Sequence, residues 1–255
     1  MTPLDAACAA MADGGEAAQL RFFDLLAASE LFLLLSEEPQ GETVSPEVFE
    51  TPEGTYLLVF DREDRLASFV GRPAPYAGMT GRALAEMLAG QGIGFILNAD
   101  AEETAHPVPT DVVDWLSATL ADTPQETAAT PQELLPPAGL PEALLTGIDA
   151  KLATAAGLAR LAYLSGVRYD SGALSHMLAF IDAQPGAETA LAQAVHEALT
   201  FSGLEAATLD VAFFDASDPI AARLAKVGLR FDLPEPEQIQ IPGAPGMDPD
   251  KPPKL

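Results

Sequence analysis

The residues best placed for chemistry lie in Gly71-Arg72-Pro73-Ala74-Pro75-Tyr76-Ala77-Gly78-Met79-Thr80-Gly81-Arg82, a stretch that runs into the start of a helix. Free N–H groups and the positive end of the helix dipole, together with two guanidinium groups, form a place for a carboxylate or phosphate. Arg72, Thr80, Gly81 and Arg82 are therefore the expected anion site. The same residues have a plainer use, with Thr80 capping the helix and the arginines pairing with neighbouring acids. A second glycine-rich stretch, Gly90-Gln91-Gly92-Ile93-Gly94, follows a helix and opens a strand. A dinucleotide loop needs the opposite order, because a helix C-terminus presents carbonyl oxygens to the phosphate. It reads as a cap and turn.

No nucleophile or metal set assembles from spacing. His106, His176 and His196 fall in three different elements, with no HxH, HExxH or CxxH pattern. His176 shares a strand face with Leu178 and Phe180 and reads as a hydrogen-bonded core or rim histidine, whereas His196, beside Glu197, reads as solvent-facing. Neither Ser165-Gly166 nor Ser171-Gly172 supplies the Gly-x-Ser-x-Gly elbow. Cys8 is the only cysteine, which excludes an intrachain disulfide, and it is expected in a mobile terminus. Asp61 and Asp64 read as turn carboxylates that accept backbone N–H groups. No catalytic residue, metal or cofactor is expected.

The elements that position these groups alternate. A helix over 16–29, continuing an earlier one broken at Gly14-Gly15, leads to a strand over 30–36; strands follow at 48–51 and 55–61 around the turn Pro52-Glu53-Gly54. Asp61-Arg62-Glu63-Asp64 reads as a hairpin tip before a short strand over 66–70. Then come a helix over 81–89, a strand over 93–98 and, after the breaker Pro107-Val108-Pro109, a helix over 110–120. The second half reads as helix 141–156, strands 159–165 and 174–181, helix 186–200, strand 207–214, helix 218–227 and strand 229–233. The fold class is α/β in the broad sense, more strictly α+β: two domains, each a mixed β-sheet covered by helices. The divisions are a helical extension over 1–19, a first domain over 20–120, a proline-rich linker over 121–140, a second domain over 141–233 and a proline-rich tail over 234–255.

Thirteen Lys and Arg against 38 Asp and Glu give a net charge of −25. That field repels phosphate backbones and anionic lipid, so nucleic acid and membrane are not expected partners, and a protein partner or a second copy of the chain is. No run approaches the roughly 20 apolar residues that span a bilayer. With no secretory signal read at the start, the expected location is the cytoplasm. The tail holds seven of the 22 prolines. Its short β-prone insert carries Ile239 and Ile241, the expected contacts for docking on a sheet edge or in an aromatic groove.

Several of these segments resemble the SseB family, bacterial proteins named for a serine-sensitivity phenotype. In the first half the resemblance lies in Leu31-Phe32-Leu33-Leu34-Leu35, Tyr56-Leu57-Leu58-Val59-Phe60-Asp61, Gly81-Arg82-Ala83-Leu84 and Gly94-Phe95-Ile96-Leu97-Asn98; Ala99 departs from a proline frequent after that asparagine. In the second half Ala159-Arg160-Leu161-Ala162-Tyr163 and Leu209-Asp210-Val211-Ala212-Phe213-Phe214 are similar to the family's C-terminal domain. The resemblance implies an α/β fold and brings no catalytic residues. The functional expectation is a non-enzymatic binding or regulatory protein, acting through the interdomain cleft or the tail; the alternative is a sensor of an amino acid or other anion, or an enzyme, using the 72–82 loop.

Overall fold

The computed structural model describes residues 1–39, 41, 43–52, 54–100, 105–125, 129–203 and 209–236. Helix α1 (Pro3–Ala28) starts at a capping box: Thr2 accepts from the Asp5 N–H and the Asp5 carboxylate accepts from the Thr2 N–H. It kinks at Gly15, whose backbone is non-helical. Ser29 ends it, and the chain turns into β1 (Glu30–Leu34). Strands β2 (Val48–Thr51) and β3 (Gly54–Phe60) form a hairpin, followed by helix α2 (Glu63–Val70), strand β4 (Tyr76–Thr80), helix α3 (Gly81–Leu88), strands β5 (Ile93–Leu97) and β6 (His106–Val108) and helix α4 (Thr110–Ala121).

The first sheet has the order β4-β1-β3-β5-β6. All its pairings are antiparallel except β3 with β5, so the sheet is mixed. Strand β2 also pairs with β3, at the opposite end of the edge that β1 uses. Strand alternation sends Leu31, Leu33, Leu57, Val59, Phe95, Leu97 and Val108 to one face, where they pack under α1, α3 and α4. Each such fully buried side chain contributes about 1.5–3 kcal/mol. The opposite face carries Leu34, Leu58 and Phe60, and the short α2 lays Leu66 on them.

The second sheet consists of β7 (Pro131–Leu135), β8 (Leu161–Tyr169), β9 (Leu174–Ile181), β10 (Leu209–Phe214) and β11 (Leu229–Asp232). Its order is β10-β9-β8-β11, with β7 pairing β8 beyond β11; only β9 and β10 run parallel. Helices α5 (Glu142–Thr154) and α6 (Glu188–Thr200) cover Ala162, Leu164, Leu178 and Phe180, while α7 (Pro219–Val227) covers Tyr163, Met177 and Ala179. The result is an α+β fold in two parts, each built on a mixed sheet.

Three local readings are corrected. Residues 63–70 are a helix, not the far arm of a hairpin: Glu63 and Asp64 fall in its first turn, where acids complement the dipole, and Gly71 closes it at φ 66°. Strand β4 lies inside the stretch read as loop, because β1 offers it a five-residue antiparallel template from Glu30↔Thr80 to Leu34↔Tyr76. The segment read as linker contributes β7 to the second sheet. No described helix is long and apolar enough to cross a membrane.

Candidate functional site

The expected anion residues are spread along β4 and used locally. The Thr80 hydroxyl accepts from the Ala83 N–H at 3.2 Å, and the Gly81 N–H donates to the Ser29 carbonyl at 3.0 Å. A Cβ on Gly81 would lie 2.0 Å from the Leu26 carbonyl oxygen, so glycine there lets α1 and α3 touch. Arg82 donates to the Leu120 carbonyl at 3.2 Å and to the Glu197 carboxylate at 2.6 Å. Arg72 is exposed just beyond the end of α2. Strand β4, about 17 Å long at the usual rise, lies between Arg72 and Arg82 and keeps them apart. Ile239 and Ile241 lie outside the described residues.

Arg82 belongs instead to a polar joint between the two parts. Glu197, on α6 and only 4% exposed, takes Arg82 on one oxygen and Lys151 of α5 on the other, at 3.1 Å. Lys151 also sits 2.5 Å from Asp24 of α1, and Gln193 donates to Glu197 and to the Asp122 carbonyl. Burial alone would raise the Glu197 pKa; Lys151, Arg82 and Gln193 outweigh it and hold the carboxyl below its ordinary value. His196, read as solvent-facing, meets the Asp122 carboxylate at 3.2 Å with its side chain a quarter exposed. Phe201 stands edge-on to Trp115 beside this joint and packs in the first core. A cleft of about 240 Å³, lined by Arg21, Asp24, Gly147, Ala198 and Phe201 among others, adjoins it.

A second polar cluster sits at the carboxyl ends of the parallel pair β3 and β5. Asn98 follows β5 at φ 52°, is almost wholly buried and accepts the Asp61 N–H at 3.0 Å. Asp61 receives the Thr2 hydroxyl on one oxygen; its other oxygen is buried, 3.5 Å from Arg65, and accepts no hydrogen bond among the described residues. Arg65 forks onto Asp5 at 2.8 and 2.6 Å. Burial would raise the Asp5 pKa, but this fork and the Thr2 N–H bring it below its ordinary value. Cys8, read as mobile, is half-buried on α1, and burial followed by the nearby Asp5 pushes its thiol up, making it a poor nucleophile.

Beside this cluster the outer face of the first sheet is only partly covered. Register places Glu30, Phe32 and Leu34 of β1 across from Thr80, Gly78 and Tyr76 of β4; α2 lays Leu66 on the Leu34 end, where Phe32 also packs, and its Glu63 accepts the Tyr76 hydroxyl at 2.7 Å. Phe32 and Tyr76 meet edge to face at 5.8 Å; Tyr76 is 37% exposed and Phe69 of α2 43%. Phe32, Asp61, Arg62, Glu63, Asp64 and Ala67 line an open cleft of about 510 Å³. No group of three or more His, Cys, Asp or Glu among the described residues could hold a metal ion. His176 bonds the Ala138 carbonyl at 3.0 Å, and His106 packs on Phe22 in the first core, where burial lowers its pKa.

Neither Glu197 nor Lys151 was singled out by sequence reasoning, yet a signal existed. Helix α6 carries Ala190, Ala194 and Ala198 beside Leu191, Val195 and Leu199, small apolar residues that suit a second packed face, and in the structure no residue from Leu191 to Thr200 is exposed. The Asp61–Asn98 contact had no such signal, because it joins residues 37 apart through strand pairing.

Comparison with curated proteins found no match, and comparison with solved structures found none. The family model described as the SseB protein N-terminal domain matches residues 4–115, which run from the first turn of α1 into α4 and so contain the whole first sheet. The match over residues 4–115 supports membership of the SseB family through that domain.

Proposed function

We propose that this is a non-enzymatic binding protein that presents the uncovered part of its first sheet to a protein partner. The observation that carries the reading is the exposure of Phe69 of α2 and Tyr76 of β4, 43% and 37%, with half-buried Phe32 edge to face against Tyr76. Aromatic side chains bring large area at small entropic cost and dominate interface energetics. Arg82, Lys151 and Arg65, by contrast, are committed to internal carboxylates. An anion at Arg82 would have to share the guanidinium with Glu197, which counts against the sensor reading. The net charge of −25 supports a basic protein partner over nucleic acid or anionic membrane, and the second sheet is read as the family's C-terminal domain. In cells producing a tagged full-length chain, affinity capture should recover one partner at constant stoichiometry. That partner should be lost from a Phe69→Ser/Tyr76→Ser variant of unchanged melting temperature. Its retention by the variant would overturn the reading, as would substrate turnover by the purified protein.

A further inference from the structure

We infer that the partner contributes an extended, basic segment that adds as a strand to the outer edge of β4. This inference rests on the binding reading above and specifies its chemistry. Strand β4 ends the first sheet, and among the described residues no strand pairs with its outer side. Open edges are usually blunted by charge, proline or a bulge. Tyr76-Ala77-Gly78-Met79-Thr80 carries no charge and no proline, and its five-pair register with β1 is unbroken. Such an edge is a template for strand addition, in which backbone bonds give affinity and alternate side chains give selectivity.

The alternate side chains of an added strand would share the face of Tyr76, Gly78 and Thr80. Gly78 leaves a gap there: a Cβ at that position would find the Glu30 carboxylate at 3.8 Å and the Phe32 ring at 4.0 Å, with no other heavy atom within 4 Å. A lysine or arginine crossing the gap can lay its stem on the Phe32 ring and bring its charge to Glu30. The cleft beyond Phe32 continues the pattern with Asp61 and Glu63, the latter accepting the Tyr76 hydroxyl at 2.7 Å, while Arg62 and Asp64 neutralise each other. At this end one Asp61 oxygen is buried 3.5 Å from Arg65 and accepts no hydrogen bond among the described residues. A second copy of the chain fits poorly, because pairing β4 with β4 would bring two such acidic rims together on bodies of charge −25 each.

The test selects displayed random dodecapeptides on the full-length chain, then follows hydrogen exchange with the synthesised winner. Enriched peptides should alternate Lys or Arg with apolar residues and slow exchange of the Tyr76–Thr80 amides. Gly78→Leu, which fills the gap, and Glu30→Lys should each weaken binding by roughly tenfold or more while leaving the melting temperature in place. Peptides lacking basic residues, β4 amides that stay unprotected, or undiminished binding to the charge-reversed variant would each overturn the inference, as would failure to enrich any sequence. Protection of β4 that rises with protein concentration without peptide would overturn it in favour of self-association. Peptides that spare β4 but are lost with Phe69→Ser/Tyr76→Ser would leave the binding reading standing; peptides indifferent to both would sink the two together.

Discussion

Glu197 shows how one buried carboxylate commits three basic or amide side chains. Replacing it with Gln keeps the shape but leaves Lys151, 13% exposed, without its second anion, so Glu197→Gln should cost about 2–4 kcal/mol in chemical denaturation. The pH dependence has a definite sign. A carboxyl whose pKa is lowered on folding stabilises fully above its unfolded value, near 4.3, and loses that contribution as pH falls through the lower, folded value. Acid titration of the wild type should thus show destabilisation below about pH 4 that is shallower in Glu197→Gln. Because Arg82 belongs to this joint, a thermal-shift change in Arg82→Ala reports the loss of Glu197's partner whether or not a ligand is present. Asn98 supplies the other single-residue case: Asn98→Ala removes the acceptor for the Asp61 N–H at a left-handed position and should cost about 1–3 kcal/mol, with a matching drop in denaturant midpoint.

At the scale of elements, the crossing of α1 and α3 depends on an absent side chain. A methyl at Gly81 would press into the Leu26 carbonyl, and backbone on both sides leaves little room to relax, so Gly81→Ala should destabilise by about 3 kcal/mol in the same assay. Helix α2 holds its place mainly through Leu66 on Leu34, Leu58 and Phe60, and Leu66→Ala should cost about 2–4 kcal/mol and loosen the cleft beside Phe32. The patterns of most elements were legible: α3 and its Thr80 cap, β2, β5, β9 and α7 fall within a residue or two of expectation. Elements α2, β4, β6 and β7 were not. Each is short, and the three strands exist because a strand elsewhere offers them partners, which is information held outside the segment itself.

For the molecule as a whole, the joint of Asp24, Arg82, Lys151 and Glu197 couples two sheets that share no strand. Lys151→Met removes the cation shared by α1 and α6. Calorimetry should then resolve two transitions, one per sheet, with the separation greater than in the wild type. Raised salt should leave this joint less affected than an exposed pair such as Arg62 with Asp64, since burial limits screening.

Apolar runs in β1, β3, β5, β8 and β9 and helical spacing in the segments between them determined two mixed sheets with helices upon them. Those patterns are local, so the sequence by itself carried them, together with the family resemblance and the charge that disfavours polyanionic partners. Only tertiary structure decided what the charged residues do. Whether Arg82 faces an anion or Glu197 depends on a contact 115 residues away. Whether Phe32 is core or surface depends on where an eight-residue helix stops. Coulomb attraction and burial act through space, and spacing along the chain does not encode that distance.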